Sequence, residues 1–158
     1  MTVLMVALMA MSASTLRTHS LRRQNRERAI AQNAVRAISE RVHALSDQIR
    51  REEADWSEDL IAALSVGGSL GETFVITGLT PTGDAPSVGT IQVLRDETRS
   101  DADLGFELGM PRDLDGDGAA DNTDVSANAR ILPVIVQAQW TGVSGDVTIV
   151  HPFYIIGY

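Results

Sequence analysis

The sequence predicts an α+β protein in which one long N-terminal helix packs on a four-stranded, mainly antiparallel sheet. Three observations carry that expectation. No Pro or Gly interrupts residues 17–64, four runs rich in Val, Ile, Thr and aromatic residues follow Gly67-Gly68, and residues 1–16 bear no charged side chain. A chain of 158 residues has room for a single modest core plus one extended element. The division expected is 1–52 as the helix, with 1–16 as its apolar segment, and 53–158 as a β-rich head carrying an acidic loop over 96–130.

The helix comes first. Residues 1–16, MTVLMVALMAMSASTL, prefer hydrocarbon to water, and Met, Leu and Ala favour helix. Sixteen residues rise about 24 Å, slightly short of the ~30 Å hydrocarbon core, so the segment is a marginal span. Further on, Val35, Ile38, Val42, Leu45 and Ile49 recur at steps of three and four. Ala31 extends this stripe backwards, and Trp56 and Leu60 extend it forwards after a polar step at Glu52. Such a stripe suits packing against the chain's own sheet or a coiled coil. A helix from residue 2 to about 52 would measure roughly 75 Å, far longer than a domain of this size needs.

The strands expected are Thr73–Leu79, Val88–Leu94, Ile131–Trp140 and Val147–Ile156. The last two flank Thr-Gly-Val-Ser-Gly-Asp and so should form an antiparallel hairpin with a slightly loose turn. In the third, Val134, Val136, Ala138 and Trp140 share one face. Pro133 and Pro152 indicate edge positions or strand ends.

Charge divides the molecule in two. Residues 1–51 hold nine Arg against Glu27, Glu40 and Asp47, a balance of +6; residues 52–158 hold four Arg against eighteen acids, a balance of −14. All 13 basic residues are Arg, and there is no Cys. The basic stretch follows an apolar segment and lacks interleaved aromatics or a nucleic-acid-binding motif, so no nucleic acid is expected as partner. Headgroups, or acids on neighbouring subunits, suit it better. Glu52, Glu53, Asp55, Glu58 and Asp59 form an acid run that reads as a solvated helix face or as a partner for another subunit's Arg residues.

One constellation carries chemistry. Asp113, Asp115, Asp117, Asp121 and Asp124 occupy positions 1, 3, 5, 9 and 12 of a twelve-residue loop with Gly118 at position 6 and the Ala119 carbonyl at position 7. That is the spacing of a calcium loop, in which alternate oxygens converge on one ion. The bland alternative is a solvated Asp-Gly turn. His19, His43 and His151 have no ligand spacing. No Ser-His-Asp set, phosphate-binding loop or dinucleotide fingerprint is present, so the expectation is a protein that is not an enzyme.

An apolar N-terminal run passing directly into a long amphipathic helix, followed by a small antiparallel sheet, resembles type IV pilins and pseudopilins. Met1-Thr2-Val3-Leu4 would stand at the mature start, and the segment from Leu132-Pro133-Val134 through Gln139-Trp140-Thr141-Gly142 to Asp146-Val147-Thr148 is similar to the C-terminal hairpin of minor-pilin-like proteins. Met5 stands where the family usually has a glutamate that meets a neighbour's amino terminus; some minor, tip-located members lack it. The resemblance implies removal of a short basic leader, frequent methylation of the first residue, residence in the inner membrane before assembly, and then an extracellular filament or periplasmic pseudopilus. It implies copies of the chain or related pilins as partners, with Met1, Leu4, Met5, Leu8, Met11, Arg17, Arg22 and Arg23 as assembly residues. Arg17, Arg22, Arg23 and Arg26 would seek acids such as Glu27 or Glu40 on a neighbour. Two rival readings stay open. One is a secreted calcium-dependent binding module whose apolar start is a signal peptide with Ser12-Ala13-Ser14 as cleavage site, although no basic region precedes the apolar run. The other is a membrane-anchored protein whose helix forms a parallel coiled coil.

Overall fold

Residues 2–52 and 55–157 are described by the computed structural model, and side chains outside 2–10 and 12–14. Helix α1 spans Thr2–Arg51, and its unbroken run of non-Pro, non-Gly residues explains why nothing stops it earlier. Its stripe is buried where expected: Ala31, Val35, Ile38, Val42 and Ile49 enter the core, and Leu45 packs against it. Small polar side chains fill the gaps in that face. Ser39 returns its hydroxyl to the Val35 carbonyl, so its burial leaves no unpaired donor.

The stripe does not continue in one helix to Leu60. Glu52 closes the last turn on the Ile49 carbonyl, and a second helix, α2, runs over Trp56–Leu64. A straight extension would carry Trp56 and Leu60 beyond the end of the sheet. The turn instead buries Leu60, Ile61 and Leu64, while the Trp56 indole N–H donates to Ser46 Oγ at 2.9 Å. Gly157 lies directly against that indole: a Cβ there would stand 2.3 Å from the ring, so the chain can pass only as glycine.

The sheet has four strands in the order β1-β2-β3-β4, all antiparallel, with β1 at Thr73–Phe74, β2 at Gly89–Val93, β3 at Ile131–Gly142 and β4 at Gly145–Ile156. The first strand is far shorter than the Thr73–Leu79 run promised. Val75 is 81 % exposed and Gly78 has a positive φ, so the run leaves the ladder after Phe74 although Ile76 still reaches the core. The hairpin turn is tighter than expected. Gly142 pairs with Gly145 across only Val143 and Ser144, because Gly145 accepts the positive φ that a short turn demands.

Val134, Val136, Ala138 and Trp140 are all buried on one face of β3, and across the ladder they stand beside Phe153, His151, Ile149 and Val147. The same face meets α1, as the ring contact between His43 and Phe153 shows. Pro152 lies on β4, an edge strand. Pro133 lies in a central strand, but β2 begins pairing only at Val134, and the Pro133 carbonyl still accepts from Leu94 N–H. Between β2 and β3 the chain makes one short helix, α3, at Asp101–Leu104, started by a Ser100–Asp103 capping box.

Candidate functional site

The acidic connection is built around a buried carboxylate that the loop spacing did not reveal. Glu97 is 0 % exposed. Its Oε1 accepts from the Leu114 and Asp115 amides, and its Oε2 from the Asn122 amide at 3.2 Å. The Glu97 amide donates in turn to the Asn122 carbonyl, and Val125 N–H donates to the Arg95 carbonyl. Residues 95–97 therefore bind the loop 114–125 from one side. From the other side, the Leu114 carbonyl accepts from Arg130 and Ile131 at the start of β3. Leu108, Met110, Leu114 and Val125 anchor the segment in the core, so this long connection is a packed part of the head.

Glu97, Asp113 and Asp115 bring carboxylate oxygens within 4.8 Å of one another and could together hold a metal ion. Asp113 sits at the rim, where Gly116 and Gly118 amides donate to it; both glycines have positive φ, which turns their N–H groups inward. Burial pushes the Asp113 carboxyl up, but donation from Gly118, Gly116, Asp117 and Asp115 outweighs this and leaves it below the ordinary value. Asp115 goes the other way. Burial raises it, the Asp117 amide pulls it down, and the neighbouring Asp117, Glu97 and Asp113 charges raise it further. A divalent ion would relieve that repulsion.

The remaining loop residues are arranged differently from the simple spacing. Asp117 accepts from the Ala119 amide and shares the Asn122 amide group with Asp115. Asp121 is exposed. Asp124 is exposed and turned toward Ser126, whose hydroxyl and amide hold its carboxyl below the ordinary value with help from Arg95. Among the described residues, the acidic group that converges is thus Glu97, Asp113 and Asp115, without Asp117, Asp121 or Asp124. Glu97 was missed because it lies 16 residues before Asp113, between Asp96 and Thr98, in a stretch with no periodicity.

A second carboxylate organises the neighbouring turn. Asp101 accepts from the Leu108, Gly109 and Met110 amides. The Met110 amide does most to lower its carboxyl, burial opposes this, and Gly109 and Leu108 add to the lowering.

The other candidate region is the N-terminal half of α1. From Thr15 to Arg26 no residue is buried, and Met11, Leu16 and Leu21 are 73 %, 71 % and 57 % exposed. Glu27 is the first residue to enter the head, where its Oε2 lies 3.1 Å from the place a Cβ on Gly142 would take. Within the chain, Arg23 Nε donates to Glu27 Oε1 at 2.9 Å. Glu40 is likewise paired internally, with Arg36. Arg17, Arg22, Arg26 and Arg28 are exposed and form no ion pair with described residues. Met1 and the side chains of Leu4, Met5 and Leu8 lie outside the described residues. Among the described residues, no helix is long and apolar enough to cross a membrane.

No protein-family model, curated protein or solved structure matches this chain.

Proposed function

We propose that this chain is a structural, non-enzymatic subunit of a type IV pilus-like or pseudopilus filament, assembling through α1 with its head exposed. The observation that carries this reading is the uncovered half of α1, which presents Met11, Leu16 and Leu21 to solvent while the other half is buried on the sheet. A projecting helix has little reason to persist in water alone, since most helical stability in proteins comes from packing. Sister helices from copies of the chain or related pilins would cover it, and a bilayer would do so before assembly. Small residues such as Ala7, Ala10, Ser12, Ala13 and Ser14 would permit close helix approach. Electron microscopy of material sheared from producing cells, with mass spectrometry of its subunits, tests the proposal. Filaments containing the chain are expected; a monodisperse chain that never assembles would overturn it.

The head carries a second element of the reading. The cluster of Glu97, Asp113 and Asp115 favours a bound calcium ion that neutralises the loop's like charges and holds residues 113–124 in one conformation. Calorimetric titration of the chain with calcium chloride should give saturable binding that Asp115→Asn weakens; absence of binding removes calcium from the proposal. Calcium-dependent capture of a partner by a chain that forms no filaments would instead favour a secreted or membrane-anchored binding module.

A further inference from the structure

We infer that the Arg band on the projecting half of α1 docks onto the acid run at the α1–α2 junction of a second, parallel copy of this chain, displaced along the helix axis by about one head length. The inference rests on the filament reading and specifies its subunit contact. Arg17, Arg22, Arg26 and Arg28 are exposed and unpaired among the described residues. They therefore place positive charge around this stretch of helix that no described residue neutralises.

The head is acidic throughout, yet most of its carboxylates are already engaged. Asp96, Asp101, Asp103, Asp113, Asp115 and Asp124 all accept hydrogen bonds inside the acidic connection. Glu72, Asp84, Glu107 and Asp121 are also exposed and unengaged among the described residues, but each stands singly, whereas the junction gathers several such acids. Asp55, Glu58 and Asp59 are exposed, and their carboxylates accept no hydrogen bond and form no ion pair among the described residues. Glu52 beside them is held only by Gln48. The unpaired positive band and this unpaired negative run lie on one rod at a separation set by helix geometry.

Arg23, central in the band, precedes Glu52 by 29 residues, about 44 Å at 1.5 Å per residue. The part of α1 packed on the sheet, from Glu27 to Arg51, occupies about 37 Å on the same rise. A copy displaced by the charge-matching distance would place its own Glu27, where its head begins, just beyond the end of the first copy's α1. The stagger that pairs the charges also keeps the sheet-packed segments of the two α1 helices from overlapping.

The chain has no Cys, so single cysteines report this contact without background. Full-length chains carrying Arg22→Cys and Glu58→Cys separately are mixed, assembled and oxidised. The inference expects a covalent dimer between them, and much less from Arg22→Cys mixed with Asp84→Cys, which lies on another part of the head. Filaments that form but link Arg22→Cys no better to Glu58→Cys than to Asp84→Cys would overturn the docking geometry and leave the filament reading intact. No assembly by any chain, wild type included, would overturn both. A second pair of variants guards against local damage. Arg22→Glu with Arg26→Glu should lower assembly about tenfold, as expected of several exposed pairs acting together, and Glu52→Arg with Glu58→Arg in the partner copy should restore it. Failure of that restoration, with the unchanged chain still assembling, counts against the inference.

Discussion

The two halves of α1 share one backbone conformation and owe it to different surroundings. From Glu27 to Arg51 the helix is a structural wall of the head: Ala31, Val35, Ile38 and Val42 are buried against the sheet, and the Arg36–Glu40 and Asp47–Arg50 pairs lie on its outer side. From Thr15 to Arg26 the same helix buries no residue, and its apolar residues Leu16 and Leu21 are exposed near Arg17, Arg22 and Arg26, which form no ion pair among the described residues. Helical periodicity alone does not distinguish these halves. What separates them is whether an apolar stripe recurs on one face, because only such a stripe can be removed from water by a sheet on one side.

The sharpest way to break this comparison is to damage the packed half's partner. Trp140 is 1 % exposed on the buried face of β3, so Trp140→Ala should cost about 3–5 kcal/mol of head stability in urea unfolding. A loss below about 1 kcal/mol would mean that the head does not rely on this face. Next comes the acidic connection. Glu97→Gln keeps the shape but turns an amide donor toward one of three backbone N–H groups, for an expected cost of about 2 kcal/mol and faster hydrogen exchange at Leu114, Asp115 and Asn122. Unchanged exchange there would show that Glu97 does not organise the loop.

Acid should act on the head in two opposing ways. The folded state holds Asp101 and Asp113 below the ordinary aspartate value of 3.8, so their stabilisation is present above that value and is lost as pH falls through their folded values. Asp115 is raised; its ionised form is disfavoured in the fold, and its protonation on acidification relieves that cost. Exchange protection of Leu108, Gly109 and Met110 should therefore fall as pH drops below the ordinary aspartate value of 3.8, and Asp101→Asn should abolish that pH dependence. Persistent pH-dependent protection in Asp101→Asn would assign the effect to another group. The smallest effect on stability belongs to the projecting half. Leu21→Ser should change head unfolding by no more than about 0.5 kcal/mol while reducing self-association. A large loss of head stability would erase the distinction between the two halves.

The candidate ion site divides along similar lines. Asp113 and Asp115 were legible because a turn rich in Asp and Gly dictates local hydrogen bonds: short side chains accept from amides two to five residues on, as Asp113 does from Gly116 and Gly118. Glu97 was not legible, because its role depends on residues 95–97 running beside 122–125, a neighbour relation set by how the loop returns to β3. Asp124 fits the twelve-residue spacing but turns toward Ser126 and Arg95, which compete for its carboxylate.

Sequence by itself determined the long helix, its buried stripe, the existence and order of the β-rich runs, and the separation of a basic rod from an acidic head. Each of these follows from patterns that repeat over neighbouring residues, where the spacing of side chains along a helix or strand is fixed by backbone geometry. Only the tertiary structure decided that the stripe breaks after Arg51 so that Leu60 and Leu64 can be buried from a second helix. It alone reduced β1 to two residues, and it alone made Glu97 the centre of the acidic connection. Those outcomes depend on which surfaces distant segments offer one another, and local periodicity carries no record of that.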